Sequence, residues 1–264
     1  MTPATVEAGG VELAYEERGD GAAAVLVHGT ATARTVWRET VEALGDGVRS
    51  IAYDRRAYGD SGAPEPYGGT TVGEQADDLA ELIERLDAAP AVVCGHELGA
   101  LAALDLAARH PALVERTVLV EPPMLWLAAT GTDAVGDMRE AVASAARDEG
   151  AAGAVRAYLE EVGGPGAQEL LGRERAEASM SNPRAFAADL AAAASWAVGR
   201  KELRAIDRPA TIVSGTRSAA VRREAARALD ELLPDSRLVE VESGHFAHLE
   251  QPAAVAAAIA GRGV

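Results

Sequence analysis

Gly95-His96-Glu97-Leu98-Gly99 is the stretch on which the reading of this chain turns. Its outline is Gly-x-Ser-x-Gly, an elbow in which a strand bends sharply into a helix, with glutamate standing where serine is expected. The flanking glycines let the backbone crowd through a strained turn. The central side chain is thereby lifted above the sheet and into a pocket. A glutamate held there cannot do what a serine hydroxyl does, so the same five residues predict a fold and put its usual chemistry in question.

On either side of this elbow, short apolar runs alternate with longer helical patterns, which argues for an α/β class with a mainly parallel sheet covered by helices on both faces. Val11–Glu17 alternates weakly and suits an antiparallel edge strand; Ala24–His28, Ser50–Tyr53, Ala91–Gly95 and Thr117–Glu121 read as compact inner strands. Leu79, Leu82, Ile83 and Leu86 form one helical stripe within Gly73–Leu86, and a helix over Leu98–Arg109 follows the elbow. From Met124 to about Arg200 the chain is Ala-rich, broken by Gly131, Gly150 and Gly163-Gly164-Pro165-Gly166, and has no strand-like run. That stretch predicts a helical lid over 123–200, inserted into a core made of 1–122 and 201–264. Strands resume at Ala210–Ser214 and Arg237–Glu242 around a helix at Ala219–Leu233, and a last helix opens at Pro252, where proline suits the first turn.

The 264 residues suffice for one large domain or two small ones. Forty-one acidic residues against 25 Lys and Arg give a net charge of −16, which makes nucleic acid and anionic membrane surfaces poor partners. The acidity is spread along the chain and reads as solubility. Cys94 is the only cysteine, so neither an intrachain disulfide nor a cysteine metal cluster can form. Met1 to Gly10 lacks the basic and apolar regions of a secretory signal, and no run reaches the roughly 18 apolar residues of a membrane span. A cytoplasmic enzyme is the default expectation.

Four motifs, in order and each at the end of an expected strand, resemble those of the α/β-hydrolase family along nearly the whole chain. His28-Gly29 is similar to its oxyanion loop, and Asp54-Arg55-x-x-x-Gly59-x-Ser61 to its Asp-x-Arg-Gly-x-Gly-x-Ser loop, with Ala57 replacing one glycine. The elbow is the third, and Ser243-Gly244-His245-Phe246 through Pro252 resembles the segment that bears the catalytic histidine. The resemblance implies an α/β-hydrolase fold, with a mostly parallel sheet of the eight-stranded type and a helical lid. It also implies a triad in the order nucleophile, acid, histidine. Carried over, the nucleophile position is Glu97 and the histidine is His245. The usual acid position falls at Ser218, which is not an acid.

A serine mechanism needs a hydroxyl for the histidine to deprotonate and an acid to fix the tautomer, and neither is in its place. Three arrangements remain open. In the leading one, Glu97 and His245 form a carboxylate–imidazole pair for general acid/base or water-activating chemistry, of hydrolytic, lyase, isomerase or cyclase type. In the second, Glu97 is itself a nucleophile, as an aspartate is in the haloalkane dehalogenases and epoxide hydrolases of this fold. Glu121, at the end of the strand after the elbow helix, could then orient His245. Leu98 and Thr30 depart from the Trp and Asn that commonly hold a halide, and the lid offers one tyrosine, Tyr158, where epoxide hydrolases commonly use two. In the third, the chain binds a small molecule without converting it.

The family's oxyanion hole would fall at the backbone N–H groups of Thr30 and Leu98. Trp126, Tyr158, Phe186 and Trp196 are candidate lining residues of a substrate cavity, and Ser218 is a candidate substrate contact or a relic. His28 and His96 read as structural, His248 as a helix-approach or surface residue, and Trp37 as packing for the first core helix. Asp54 and Arg55 are expected to brace their loop through a mutual salt bridge. No metal-ligand cluster, dinucleotide fingerprint or phosphate loop is present, so no cofactor is implied. The expected partner is a small, largely apolar substrate, with a homodimer left open.

Overall fold

The structure, a computed structural model, describes residues 4–262. Met1–Pro3 and Gly263–Val264, the outer ends of the two expected core segments, lie outside the described residues. Eight strands form one sheet in the order β1-β2-β4-β3-β5-β6-β7-β8. They are β1 (Ala4–Ala8), β2 (Val11–Arg18), β3 (Ala22–Val27), β4 (Val48–Tyr53), β5 (Ala91–His96), β6 (Val114–Val120), β7 (Ala210–Gly215) and β8 (Ser236–Val241). From β4 through β8 every neighbouring pair is parallel, whereas β1 and β2 run antiparallel at one side. The expected edge strand, β2, is therefore not at the edge. Gly9 and Gly10, at φ +58° and +71°, make a tight hairpin that returns β1 as the outermost strand. Ala4–Ala8 is too short for its alternation to stand out in sequence.

Along each inner strand the two faces take alternate apolar residues. Val25, Val27, Ile51 and Val93 join a core beneath α2 (Val72–Arg85) and α3 (Leu98–Arg109). Ala24, Leu26, Ala52 and Cys94 join a second core beneath α1 (Arg38–Leu44) and the C-terminal helix Pro252–Ile259. The insertion between β6 and β7 carries four helices ahead of a last short one: α4 (Gly131–Gly163), α5 (Ala167–Leu171), α6 (Arg173–Met180) and α7 (Pro183–Ser195). α4 is bent at Gly150, whose φ of +73° breaks the helical run. After the short α8 (Arg200–Leu203), α9 (Ala220–Asp230) separates the last two strands. Among the described residues no helix is long and apolar enough to cross a membrane.

The inserted helices are tied to the sheet by a buried ion pair. Arg55 Nη2 and Nη1 reach the two carboxylate oxygens of Asp189 on α7 at 2.6 and 3.0 Å, and both side chains are fully buried. The same guanidinium donates to the carbonyls of His28 and Gly29, and Tyr58 Oη donates to Asp189 at 2.8 Å. The mutual Asp54–Arg55 bridge expected from sequence does not form. Neighbouring side chains at a strand end point apart, so Asp54 instead takes the backbone N–H of Arg34 at 2.7 Å and the Arg34 guanidinium.

Four of the five histidines are buried. His28 Nε2 accepts the N–H of Arg55, and His96 packs between His245 and His248, with ring centroids 4.7 and 4.4 Å away. His248, expected near the surface, is enclosed because Trp37 covers its other side at 4.7 Å. Burial holds all four imidazoles well below the ordinary histidine range, with Arg55 adding to the effect at His28 and Arg222 at His245.

Two outcomes follow from this packing. Asp189→Ala strands a buried Arg55 and is expected to cost about 3–5 kcal/mol in urea denaturation. Asp207→Ala, whose partner Arg208 faces solvent, should leave the midpoint where it is. An unfolded histidine titrates near 6.5 and these four stay neutral when folded, so below that pH the unfolded chain binds more protons and stability is lost. Between pH 7.5 and 6 the loss should total about 2–3 kcal/mol, and a flat profile over that interval would contradict neutral burial.

Candidate active site

The elbow is built by backbone crowding. A Cβ on Gly95 would run into the Gly99 carbonyl, and one on Gly99 into the carbonyl of Val27. Between them Glu97 adopts φ +51°, ψ −117°, a conformation that costs a non-glycine residue about 1–3 kcal/mol and persists because its surroundings dictate it. Its N–H donates to Val120 across β6, and its carbonyl opens α3 by accepting from Ala100. The carboxylate is consequently delivered above the C-terminal ends of the parallel strands.

What that carboxylate meets was only partly foreseeable. Oε2 accepts the Thr30 N–H at 3.0 Å and a short hydrogen bond from the Leu98 N–H. The two amides expected to form an oxyanion hole therefore do converge, and the oxygen between them belongs to Glu97. Oε1 accepts from Tyr158 Oη at 2.9 Å, bringing a lid side chain onto the elbow. Burial and the adjoining Glu97 charge raise the Tyr158 phenol well above its ordinary range, which keeps it protonated.

His245 stands on the loop after β8. Its Nδ1 lies 3.4 Å from Oε2 of Glu121, a long but buried contact. With Nδ1–H assigned as donor, Nε2 is left as the basic nitrogen. Glu121 is held in place by a second left-handed strand end (φ +50°), by its N–H to Val213, and by the Gly215 N–H, which donates to Oε1 at 2.6 Å. Burial raises the Glu121 carboxyl, while the Gly215 N–H and the Arg222 charge oppose that rise. The Ser214 and Ser218 hydroxyls stand close enough to favour its charged form, although neither makes a hydrogen bond of normal geometry.

The direct Glu97–His245 pair is corrected by this arrangement. No hydrogen bond or ion pair within 4.0 Å joins the two among the described residues. Each is already committed: Glu97 to two amides and a phenol, His245 to Glu121.

A cavity of about 650 Å³ opens over Glu97, and Thr30, Tyr158, Trp126 and Trp196 line it together with largely aliphatic residues. Three expected contacts are not on its wall. Phe186 is buried edge-on behind Tyr158, with ring centroids 5.3 Å apart, so it supports the phenol rather than touching the cavity. Leu98 contributes its N–H while its side chain points into the core. Ser218 keeps its hydroxyl buried without a partner. Trp196 is fixed by its indole N–H, which donates to Asp105 at 3.0 Å.

Arg222, on α9, lines the cavity and was not anticipated. A signal for it existed: Arg222, Ala225, Ala226 and Leu229 follow helical spacing, and all four are buried. An arginine on an apolar stripe is the anomaly worth reading. Among the described residues no group of three or more His, Cys, Asp or Glu is arranged to hold a metal ion.

Comparison with known proteins agrees with this architecture. A family profile described as "Alpha/beta hydrolase family" matches residues 24–258. The chain is 34% identical over 116 residues to a 2-(acetamidomethylene)succinate hydrolase of Mesorhizobium japonicum, a match covering 44% of this chain and 41% of that protein. The chain thus spans less than half the length of such curated relatives. Among solved structures, an esterase from Thermogutta terrifontis is 25% identical with a TM-score of 0.82, over 99% of this chain and 97% of that one. The enol-lactonase of Burkholderia xenovorans is 25% identical with a TM-score of 0.80, over 98% of each chain. With the fold, the elbow and the matched span in agreement, this chain belongs to the alpha/beta hydrolase family.

Proposed function

We propose that the chain is a hydrolase in which Glu97 is a carboxylate nucleophile and the His245–Glu121 couple activates water. The observation that carries this reading is the division of labour on one carboxylate: Oε2 is bound by two backbone amides, and Oε1 faces the cavity beneath the Tyr158 hydroxyl. A substrate oxyanion cannot use amides already filled by Oε2, which argues against acyl transfer to the elbow and for attack by the elbow itself.

The steps balance for an electrophile with a strained carbon–oxygen bond. Oε1 attacks carbon, the carbon–oxygen bond breaks, and Tyr158 gives its proton to the departing alkoxide, leaving a glutamyl ester. His245 Nε2 then removes a proton from water, which adds to Cδ of Glu97. The resulting oxyanion is Oε2, already between the Thr30 and Leu98 N–H groups. Its collapse breaks the Cδ–Oε1 bond, and the alkoxide takes the proton from the imidazolium. The regenerated Glu97 carboxylic acid gives up its proton and Tyr158 takes one back, directly or through solvent, which restores both groups. Glu97 and His245 make no direct contact within 4.0 Å, so the attacking water is required to bridge them, and Glu121 stabilises the imidazolium.

A second reading is favoured by one observation. Glu97 lines the cavity and His245 does not, so Glu97 could act alone as a base, with Tyr158 as the acid, in an elimination or isomerisation. One turnover of styrene oxide in ¹⁸O-water separates the two. The nucleophile reading expects ¹⁸O in the Glu97 peptide and ¹⁶O in the first product. Labelled product with an unlabelled enzyme would overturn it. Glu97→Gln should abolish turnover, and Tyr158→Phe should lower kcat by roughly 10²-fold or more.

A further inference from the structure

Arg222 is a buried charge on the cavity wall without a direct partner. Its residue is 7% exposed, Nη1 is fully enclosed without a partner, and among the described residues its guanidinium makes no hydrogen bond and no ion pair within 4.0 Å. Every other buried arginine is matched: Arg34 by Asp54 and Glu16, Arg55 by Asp189, and Arg56 by Asp78. A guanidinium cannot shed its proton to escape burial as a lysine can. Enclosing it unpaired is unfavourable unless an anion arrives.

The nearest acidic groups do not fill that role. Glu97 has its negative charge engaged by the Thr30 and Leu98 N–H groups and Tyr158 Oη. Glu121 is engaged by the Gly215 N–H and His245. The cavity is therefore lined by one carboxylate whose hydrogen bonds are made and one buried guanidinium whose hydrogen bonds are not. Its remaining wall is mainly aliphatic and aromatic, including Leu125, Val135, Val142, Leu190 and the two tryptophans. Among the described residues the only other cationic lining group is Arg139 of α4, which is exposed to solvent.

We infer that the cavity's ligand is an apolar molecule bearing a carboxylate, and that Arg222 receives that carboxylate as an ion pair. Planar guanidinium–carboxylate recognition gives both charge and orientation, so the anionic end of the ligand is anchored at α9 while its apolar body lies along the lid. The inference rests on the cavity over Glu97 being the substrate site, as in the proposed function, but not on the identity of the nucleophile.

A binding experiment without turnover tests it. Phenylbutyrate and its neutral amide are titrated separately into the full chain and into Glu97→Gln, following the fluorescence of Trp126 and Trp196. The carboxylate should bind at least tenfold more tightly than the amide in both proteins. Arg222→Met should bring that ratio close to one, Arg222→Lys should keep a reduced preference, and Arg139→Ala should retain most of it. Equal binding of acid and amide by the unmodified chain would overturn the inference, because water would then suffice for the guanidinium. So would a preference that survives Arg222→Met or disappears only with Arg139→Ala. Should Arg222→Met fail to fold, the acid-to-amide ratio of the unmodified chain and the response of Arg222→Lys decide. An unlabelled Glu97 alongside an intact acid preference would dismiss the covalent mechanism alone. A labelled Glu97 with no acid preference would dismiss the carboxylate ligand alone.

Discussion

Everything in this molecule is arranged around a turn with no room for side chains. Gly95 and Gly99 bring the end of β5, the start of α3 and the carbonyl of Val27 into contact at backbone distance. The only escape for the residue between them is upward. Neither the depth of the sheet nor the surrounding helices would place a carboxylate above the strand ends without this local crowding. The positive φ at Glu97 is the cost of that placement, and packing on both faces of β5 sustains it. Glu121 repeats the device on the neighbouring strand. Two successive parallel strands thus end in a left-handed residue that presents a carboxylate, one toward the cavity and one toward His245.

The inserted helices depend on the same region through a different force. Arg55 follows β4 and binds Asp189 on α7 while holding the carbonyls of His28 and Gly29. That one guanidinium fixes the loop carrying the Thr30 amide and the helix that lies over the cavity. Tyr158, brought down by the second half of α4 beyond Gly150, completes the contact between insertion and elbow. The inserted helices are consequently more than a wall of the cavity, because they supply the donor to Oε1.

Most of the fold was legible because its signals are local. Glycines at a turn, β-branched runs, the Leu79–Leu82–Ile83 stripe and the Ser243–Pro252 segment each report on a few adjacent residues. The strands expected from Ala24 onward coincide with β3 to β8 to within a few residues at their ends. Glu97, His245 and Glu121 were legible as candidates for the same reason: each lies in or beside a recognisable strand end. Their partners were not. That Asp54 takes Arg34 and Arg55 takes Asp189 depends on residues far away in sequence. The direct Glu97–His245 pair does not form because Oε2 is held by the Thr30 and Leu98 amides and Oε1 by Tyr158. Phe186 was expected on the cavity as an aromatic of the inserted segment and Ser218 from the motif position it occupies, whereas neither side chain lines it.

The occupation of the two amides by Oε2 also makes selectivity a matter of competition. A tethered group has an effective concentration that a freely diffusing carbonyl cannot match. An ester arriving in the cavity must displace an internal ligand bound through charge-assisted hydrogen bonds before its own oxygen can be polarised. The elbow thus carries its own resident inhibitor of the reaction that its fold most often supports. In the proposed mechanism, discrimination against ordinary esters is then set when the chain folds, ahead of any encounter with substrate.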